Sequence, residues 1–348
     1  MSKNISKSKS IARAKLVTEL CIAAVVIAGG AYFVKRTLDR TEVLGTSPFA
    51  ETSEASEPEV TEPITEPDPN QILFDVTSVP TKDKFKGNLI LVNKDYQFFK
   101  GDESIVSLSE KIDSDANATF AAEDYDVQLR DSIYQPLSSM FHDFTAATNI
   151  DDIVVYEGFR TNDYQKELYD NAEDKTGVAE PGHSEHETGL AFDVTTSTTW
   201  DYDGEGDYSW INKNCWKYGF ILRYARNKQE LTGMDSEPWH YRYVGIPHAY
   251  YMYEHDICLE EYIELLRTNY QYEGEHLKFS DETGSAYEIF FYPSDDGSET
   301  TNVPVPNDKK YDISGNNNDG FIITVYTEAA HELGEPANAD SSDSSESE

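Results

Sequence analysis

Two short segments of the chain hold side chains of the types that bind a metal ion and move protons. The first runs from Pro181 to Asp193 and contains His186, and the second is Glu237-Pro-Trp-His240. Two imidazoles and one carboxylate are a common three-ligand set in catalytic zinc sites, whose fourth position stays open for water. A further glutamate nearby is the general base that such a site requires. The residue types therefore indicate zinc-assisted hydrolysis.

The first segment also matches the pattern S-x-H-x-x-G-x-A-x-D, at Ser184, His186, Gly189, Ala191 and Asp193. Together with the E-x-W-H block that follows, it resembles the VanY-like D-alanyl-D-alanine carboxypeptidases of the zinc LAS superfamily (lysostaphin, D-Ala-D-Ala peptidases, sonic hedgehog). The resemblance covers about residues 85–267. The other segments that carry it are Asn88–Lys94, Gly158–Arg160 with Gln165, and Lys217–Tyr224.

The resemblance implies a role for each matching residue. His186, Asp193 and His240 are the expected zinc ligands, and Glu237 is the expected base that takes a proton from the attacking water and returns it to the departing amine. Arg160 is expected to face the substrate and stabilise the charge that develops on the tetrahedral intermediate, as a fixed guanidinium can.

Three further residues are candidates for substrate contact. Ser184 matches a serine that helps to hold the terminal group of the substrate, and Gln165 and Trp239 are weaker candidates. The chain also departs from the family pattern, because Glu157-Gly-Phe-Arg160 stands where Ser-Gly-Tyr-Arg is usual. The departure concerns the substrate pocket and leaves the expected metal site intact. His183, three residues before His186, is interpreted as an ordinary surface or core histidine.

The implied fold is α+β, an antiparallel sheet with flanking helices as in the LAS and hedgehog-like zinc peptidases. Residues 88–92 and 153–156 have the β-branched and apolar density of buried strands. Pro238 disfavours a helix at the E-x-W-H block, so a strand is expected there. Tyr287–Tyr292 and Phe321–Tyr326 also have the composition of strands. Apolar residues at helical spacing predict core-facing helices around Ile133–Phe144, where Pro136 should mark a start or a kink, and around Leu259–Leu266.

The N-terminus has the composition of a membrane-targeting region. Residues 1–15 carry five basic residues and no acid, and residues 16–34 are apolar apart from Thr18 and Glu19. A helix of this length meets the lower end of what crosses a bilayer, and the basic flank predicts a cytoplasmic N-terminus. We therefore expect a single-pass membrane anchor with the rest of the chain outside. Secretion after cleavage of a signal peptide is the alternative.

Charge and composition divide the remainder of the chain. The 348 residues have a net charge of −37, of which residues 76–327 carry −27, so binding to nucleic acid is excluded as a function. Residues 35–75 are predicted to form a disordered acidic, proline-rich spacer and residues 328–348 a disordered acidic tail. Between them we expect a catalytic domain over residues 76–273 and a small β-rich extension over residues 274–327, in a monomer. Whether Cys215 and Cys258 form a disulfide is left open.

The resemblance therefore implies a zinc carboxypeptidase that removes the C-terminal D-Ala from peptidoglycan stem peptides ending in D-Ala-D-Ala. Two alternatives remain. One is another peptidase acting on the same stems, an L,D-carboxypeptidase or a D,D-dipeptidase or endopeptidase. The other is a non-catalytic, zinc-containing module that binds the cell wall, although Glu237 and Arg160 argue against it.

Overall fold

The structure, a computed structural model, describes residues 72–99, 101, 103–175 and 177–327. The expected N-terminal basic region, the anchor at residues 16–34 and the acidic tail lie outside these residues, as does most of the spacer. The last residues of the expected spacer are described, and Phe74 and Asp75 already belong to a strand. Over the described ranges, no helix is both long and apolar enough to cross a membrane.

The described ranges contain both strands and helices up to Asn269 and only strands after it. The helices are α1 Leu108–Ser114, α2 Asp131–Thr148, α3 Asn162–Asn171, α4 Ser209–Asn214, α5 Gln229–Thr232, α6 Ile246–His255 and α7 Leu259–Asn269. The strands are β1 Phe74–Pro80, β2 Ile105–Ser107, β3 Ala121–Ala122, β4 Gln128–Arg130, β5 Ile153–Glu157, β6 Ala191–Thr196, β7 Phe220–Tyr224, β8 Glu237–Tyr243, β9 Leu277–Ser280, β10 Ala286–Pro293, β11 Thr300–Pro306, β12 Lys310–Gly315 and β13 Gly320–Tyr326.

A five-stranded sheet of order β3-β5-β6-β8-β7 forms the centre of the fold. Its pairings are antiparallel except for β3 with β5. Helix α2 packs in the same core as this sheet, through the apolar stripe that the sequence shows. Pro136 lies inside α2 rather than at its start, and Asn149, which follows the helix and caps it, adopts the left-handed conformation with φ of 61°. The α+β fold and the strand at the E-x-W-H block are confirmed.

The buried segment 88–92 is not a strand, contrary to the prediction. Its side chains alternate between two cores: Ile90 and Val92 pack in the core of the central sheet, and Leu89 and Leu91 in a second core. Its carbonyl groups accept hydrogen bonds from side chains instead of from a neighbouring strand. The Ile90 carbonyl accepts from Arg242 at 2.9 Å, and the Leu91 carbonyl accepts from Asn317 at 2.8 Å. An apolar sequence of this kind shows that both faces of the segment are buried. It does not show which groups form hydrogen bonds with the backbone.

The C-terminal strands pack against the part of the chain that precedes residue 274. Strands β12, β13, β10 and β9 form a second sheet in that order, and β1 at the beginning of the described chain pairs antiparallel with β11. The second core combines residues of α6 and α7 with residues of β9, β10 and β13. The expected boundary at residue 273 stays a prediction, but apolar contacts run across it. Cys215 and Cys258 are separate, buried thiols.

His248 connects α6 to both neighbouring elements. Its Nδ1 lies 2.8 Å from the Tyr262 hydroxyl of α7, and its Nε2 lies 3.1 Å from the Thr324 hydroxyl of β13. The side chain is buried, and burial lowers the pKa of His248 to about 3. The imidazole is therefore neutral in the folded chain at every pH where the protein is expected to work.

This buried histidine predicts a loss of stability in mild acid. Between the unfolded pKa near 6.5 and the folded pKa, the unfolded chain binds more protons, so the free energy of unfolding decreases as the pH falls. At about 1.4 kcal/mol per pH unit, His248 should lower the free energy of unfolding by about 2 kcal/mol between pH 6.5 and pH 5. The free energy of unfolding can be measured with urea at both pH values. Its decrease between them should be smaller in His248→Gln than in the wild-type chain, by the amount that His248 contributes. The other titrating groups are common to both chains. An equal loss of stability in both would therefore show that His248 is not its source.

Candidate metal centre and cavity

The antiparallel pairing of β6 with β8 brings two of the expected ligands together. Asp193 lies directly opposite His240 in the register of these strands. His186 lies in the short 3-10 turn Glu185–Thr188 that leads into β6. Ligand atoms of the three buried side chains all lie within 4.8 Å of one another. Residues 54 positions apart in sequence therefore form one compact group that is able to hold a metal ion.

The turn that carries His186 depends on two glycines. Gly189 ends it with φ of 69°, and a Cβ there would lie 2.8 Å from the Ile105 side chain. Gly158 supplies the carbonyl oxygen to which His186 Nδ1 donates at 2.7 Å, and a Cβ at Gly158 would lie 2.2 Å from the Gln128 carbonyl oxygen. The backbone N–H of Arg160 in turn donates to the His186 carbonyl at 3.1 Å. The segment 158–160 thus holds His186 from both its side chain and its backbone.

The two imidazoles present different nitrogens to Asp193. His186 Nε2 lies 3.5 Å from Asp193 Oδ2, and His240 Nδ1 lies 2.9 Å from Asp193 Oδ1. Despite that short distance Asp193 Oδ1 makes no hydrogen bond, although it is buried. A buried carboxylate oxygen without a hydrogen bond is costly, and a cation held by the three side chains would satisfy it.

Burial and neighbouring charges shift the pKa values of this group. Burial would raise the pKa of Asp193, but the two imidazoles hold it well below its ordinary value. Burial lowers the pKa of His186. Burial would also lower the pKa of His240, but Asp193 and Glu185 raise it to about 9. Asp193 is therefore ionised, and its carboxylate stabilises positive charge on neighbouring groups.

Glu237 begins β8 and lines a cavity that the three expected ligands also line. It lies opposite Tyr224 of β7, and its Oε2 is 3.7 Å from His240 Nδ1. Burial raises the pKa of Glu237 to about 7. A carboxyl group with this pKa can both accept and return a proton near neutral pH.

Arg160 lines the cavity and is held from two sides. Its Nε lies 3.2 Å from Glu157 Oε2, and its guanidinium donates to Gln165 Oε1 at 3.3 Å. Gln165 is buried on α3 and is fixed by a hydrogen bond to the Ala179 carbonyl. Gln165 thus contacts Arg160 through a hydrogen bond, and Glu157, where the chain departs from the family pattern, contacts it as an ion pair.

The remaining candidates differ in their placement. Ser184 lines the cavity, whose volume is about 590 Å³. Trp239 does not line it and packs against the main core instead, because neighbouring residues of a strand face opposite sides and His240 faces the cavity. His183 also lines the cavity, but it is outside the ligand group, and its Nδ1 donates to the Asn93 carbonyl at 2.7 Å.

A buried charged cluster beneath the ligands was not predicted. Glu185 accepts hydrogen bonds from Arg223 and Arg242, each at 2.8 Å, and Arg223 also binds Glu260. The sequence could have indicated this cluster, because Arg223 and Arg242 lie inside apolar strand sequences and a charged residue in a buried strand requires a partner. Tyr224, whose ring centroid lies 4.7 Å from that of His240, was missed too.

Comparison with known proteins gives this geometry a family. A sequence model described as VanY, D-alanyl-D-alanine carboxypeptidase, matches residues 126–246. A D-alanyl-D-alanine carboxypeptidase of Enterococcus faecium is 38% identical over 251 residues, which are 71% of this chain and 78% of the relative. Since 251 residues exceed the length of the expected catalytic domain, that similarity extends beyond residues 76–273.

Two further similarities agree with this relative. A bifunctional D-Ala-D-Ala dipeptidase and carboxypeptidase, VanXYC of Enterococcus gallinarum, is 35% identical over 158 residues, 41% of this chain and 81% of the relative. Among solved structures, the D,D-dipeptidase VanXYg in complex with a D-Ala-D-Ala phosphinate analog superposes with a TM-score of 0.63 at 30% identity, covering 73% of this chain and 99% of that one. The chain belongs to the VanY family of D-alanyl-D-alanine carboxypeptidases.

Proposed function

We propose that this protein is a zinc-dependent carboxypeptidase that removes the C-terminal D-Ala from peptidoglycan stem peptides ending in D-Ala-D-Ala. The observation that carries the proposal is the buried group of His186, Asp193 and His240, in a cavity that also contains Glu237 and Arg160. Membership of the VanY family supports the substrate class.

The donor set fits zinc. Two imidazole nitrogens and one carboxylate are a common protein ligand set for catalytic zinc, and the Asp193 oxygen without a hydrogen bond would be satisfied by it. His240, whose pKa of about 9 keeps it protonated without a metal, would release its Nδ1 proton when zinc binds. His186 would bind through Nε2, since its Nδ1 is used by the Gly158 carbonyl, and His240 through Nδ1. When bound, zinc supplies Lewis acidity, which polarises the scissile carbonyl and makes a water more acidic.

Glu237 is the proposed general base and acid. It lies at the cavity wall beside His240, and its pKa of about 7 allows it to take a proton from the attacking water on its carboxylate. The same proton is then available for the nitrogen of the departing D-Ala. Accepting and returning one proton leaves the carboxylate ready for the next cycle.

Arg160 is the proposed stabiliser of the negative charge that develops on the attacked carbonyl oxygen. Glu157 and Gln165 hold its guanidinium in place before the substrate arrives, so little reorganisation is needed in the reaction. Ser184, on the cavity wall, is proposed to contact the terminal group of the substrate.

The roles of Glu237 and His240 predict separate losses of activity. Glu237→Gln should lower the rate of D-Ala release about 10²–10⁴-fold without loss of bound zinc, because it removes only the proton transfer. His240→Ala should lower both the rate and the zinc content. D-Ala release from a pentapeptide stem and metal content by mass spectrometry measure the two effects. The matched control is Glu230→Gln, because Glu230 is an exposed glutamate on α5. Full activity of Glu237→Gln would rule out the proposed mechanism.

The bond that is cleaved can be tested with two substrates. The chain should release one alanine from a stem pentapeptide ending in D-Ala-D-Ala, should leave the corresponding tetrapeptide intact, and should lose activity with a chelator and regain it with zinc. Mass spectrometry of the digested peptides shows which residue is lost. Cleavage of the tetrapeptide would support the L,D-carboxypeptidase instead, and loss of an intact dipeptide would support the D,D-dipeptidase.

We also propose that residues 16–34 anchor the protein in the cell membrane with the catalytic domain outside, where peptidoglycan lies. The support is the apolar sequence and its basic flank. The full chain should remain in membranes after carbonate extraction, and Val26→Asp combined with Ile27→Asp should release it, because each charge at the middle of a span costs about 3 kcal/mol. A shorter, soluble wild-type product would show signal cleavage instead.

A further inference from the structure

We propose that Glu185 is a positioning residue that fixes the tautomer and orientation of His240, so that His240 offers Nδ1 to the metal. The inference deepens the proposed function, since it concerns the same metal centre. Glu185 lies next to His186 in the sequence, yet its carboxylate approaches the other imidazole.

The two oxygens of Glu185 have different surroundings. Oε1 accepts hydrogen bonds from both Arg223 and Arg242, and Oε2 lies 3.5 Å from His240 Nε2. Oε2 and His240 Nε2 are both buried, and neither makes a hydrogen bond in this structure. Each is therefore the available partner of the other.

A carboxylate at this position determines where the imidazole proton lies. An ionised carboxylate can only accept, so it favours the tautomer of His240 with the proton on Nε2. The lone pair then lies on Nδ1, which faces Asp193. At His186 the Gly158 carbonyl acts on the opposite nitrogen, because it accepts from Nδ1 and leaves Nε2 free. The two ligands are thus expected in opposite tautomers.

The arginines hold the carboxylate ionised and in place. Arg223 makes two further hydrogen bonds to Glu260 of α7, at 2.9 and 2.7 Å. Arg242 donates to the carbonyl groups of Asn88 and Ile90. Glu185 is therefore fixed by groups from β7 and β8, which are themselves tied to α7 and to the segment 88–92. Such outer partners of a ligating histidine commonly change metal affinity about 10–100-fold.

The wild-type protein allows a direct test that needs no variant. Long-range nitrogen–proton NMR of the zinc-loaded, histidine-labelled full chain should show two metal-bound imidazoles, one protonated on Nδ1 and the other on Nε2. Two metal-bound imidazoles that both carry the proton on Nδ1 would overturn the proposal, because His240 would then have no proton to donate to Glu185.

The substitution Glu185→Gln tests the same contact through metal affinity. Since Arg223 and Arg242 both require an acceptor, the amide oxygen should turn to them and the NH₂ group should face His240 Nε2, where it favours the wrong tautomer. Chelator competition should show zinc affinity about 10–100-fold lower than in the wild type. Glu260→Gln is the matched control, because it also removes a carboxylate from Arg223 but has no contact with His240.

The outcomes separate this proposal from the proposed function. Equal zinc affinity in Glu185→Gln and wild type, or an equal loss in Glu260→Gln, would refute the positioning role. A wild-type chain that binds zinc with opposite tautomers but cleaves no stem peptide would refute the proposed function and leave the role of Glu185 intact. A wild-type chain that binds no zinc would overturn both.

Discussion

The register between β6 and β8 is the constraint on which the site depends. Because side chains alternate along a strand, a shift of one residue would turn either Asp193 or His240 to the opposite face of the sheet. The observed register places them opposite each other and leaves Trp239 in the core. Glu237 enters the same cavity from the beginning of β8. The β6–β8 register therefore positions two of the expected ligands, and the irregular pairing of β8 with β7 between Leu222 and Tyr224 brings the proposed base to their side.

Together with the turn that carries His186, the strands place a carboxylate, two imidazoles and a glutamate in largely buried positions, which is electrostatically costly. The structure compensates with charges of the other sign in two places. Arg160 lies at the cavity wall, and Arg223 and Arg242 lie beneath the ligands, where they bind Glu185. A cation at the ligands would complete this compensation. The net charge of −37 thus describes the whole chain, whereas the immediate surroundings of the site include three arginines.

Much of the site could be predicted from sequence because its ligands belong to two local motifs of fixed spacing. The strand at Glu237–Tyr243 was also predictable, since Pro238 is incompatible with the alternative helix. Other features depend on contacts between distant residues. Segment 88–92 is as apolar as a strand, but Arg242 and Asn317, far away in the sequence, replace its strand partner. Glu185 lay inside the recognised motif, and only the folded chain shows that it faces His240 and not the solvent.

The attachment of segment 158–160 to His186 has a consequence for how enzymes of this kind can diversify. Gly158 holds the His186 ring and the Arg160 backbone holds the His186 carbonyl, so the expected metal ligand and the arginine proposed to stabilise charge belong to one hydrogen-bonded unit. A change that displaced one would carry the other with it. New substrate preferences are therefore more accessible through other residues of the cavity wall, such as Lys94 and residues 232–234, which take no part in these hydrogen bonds.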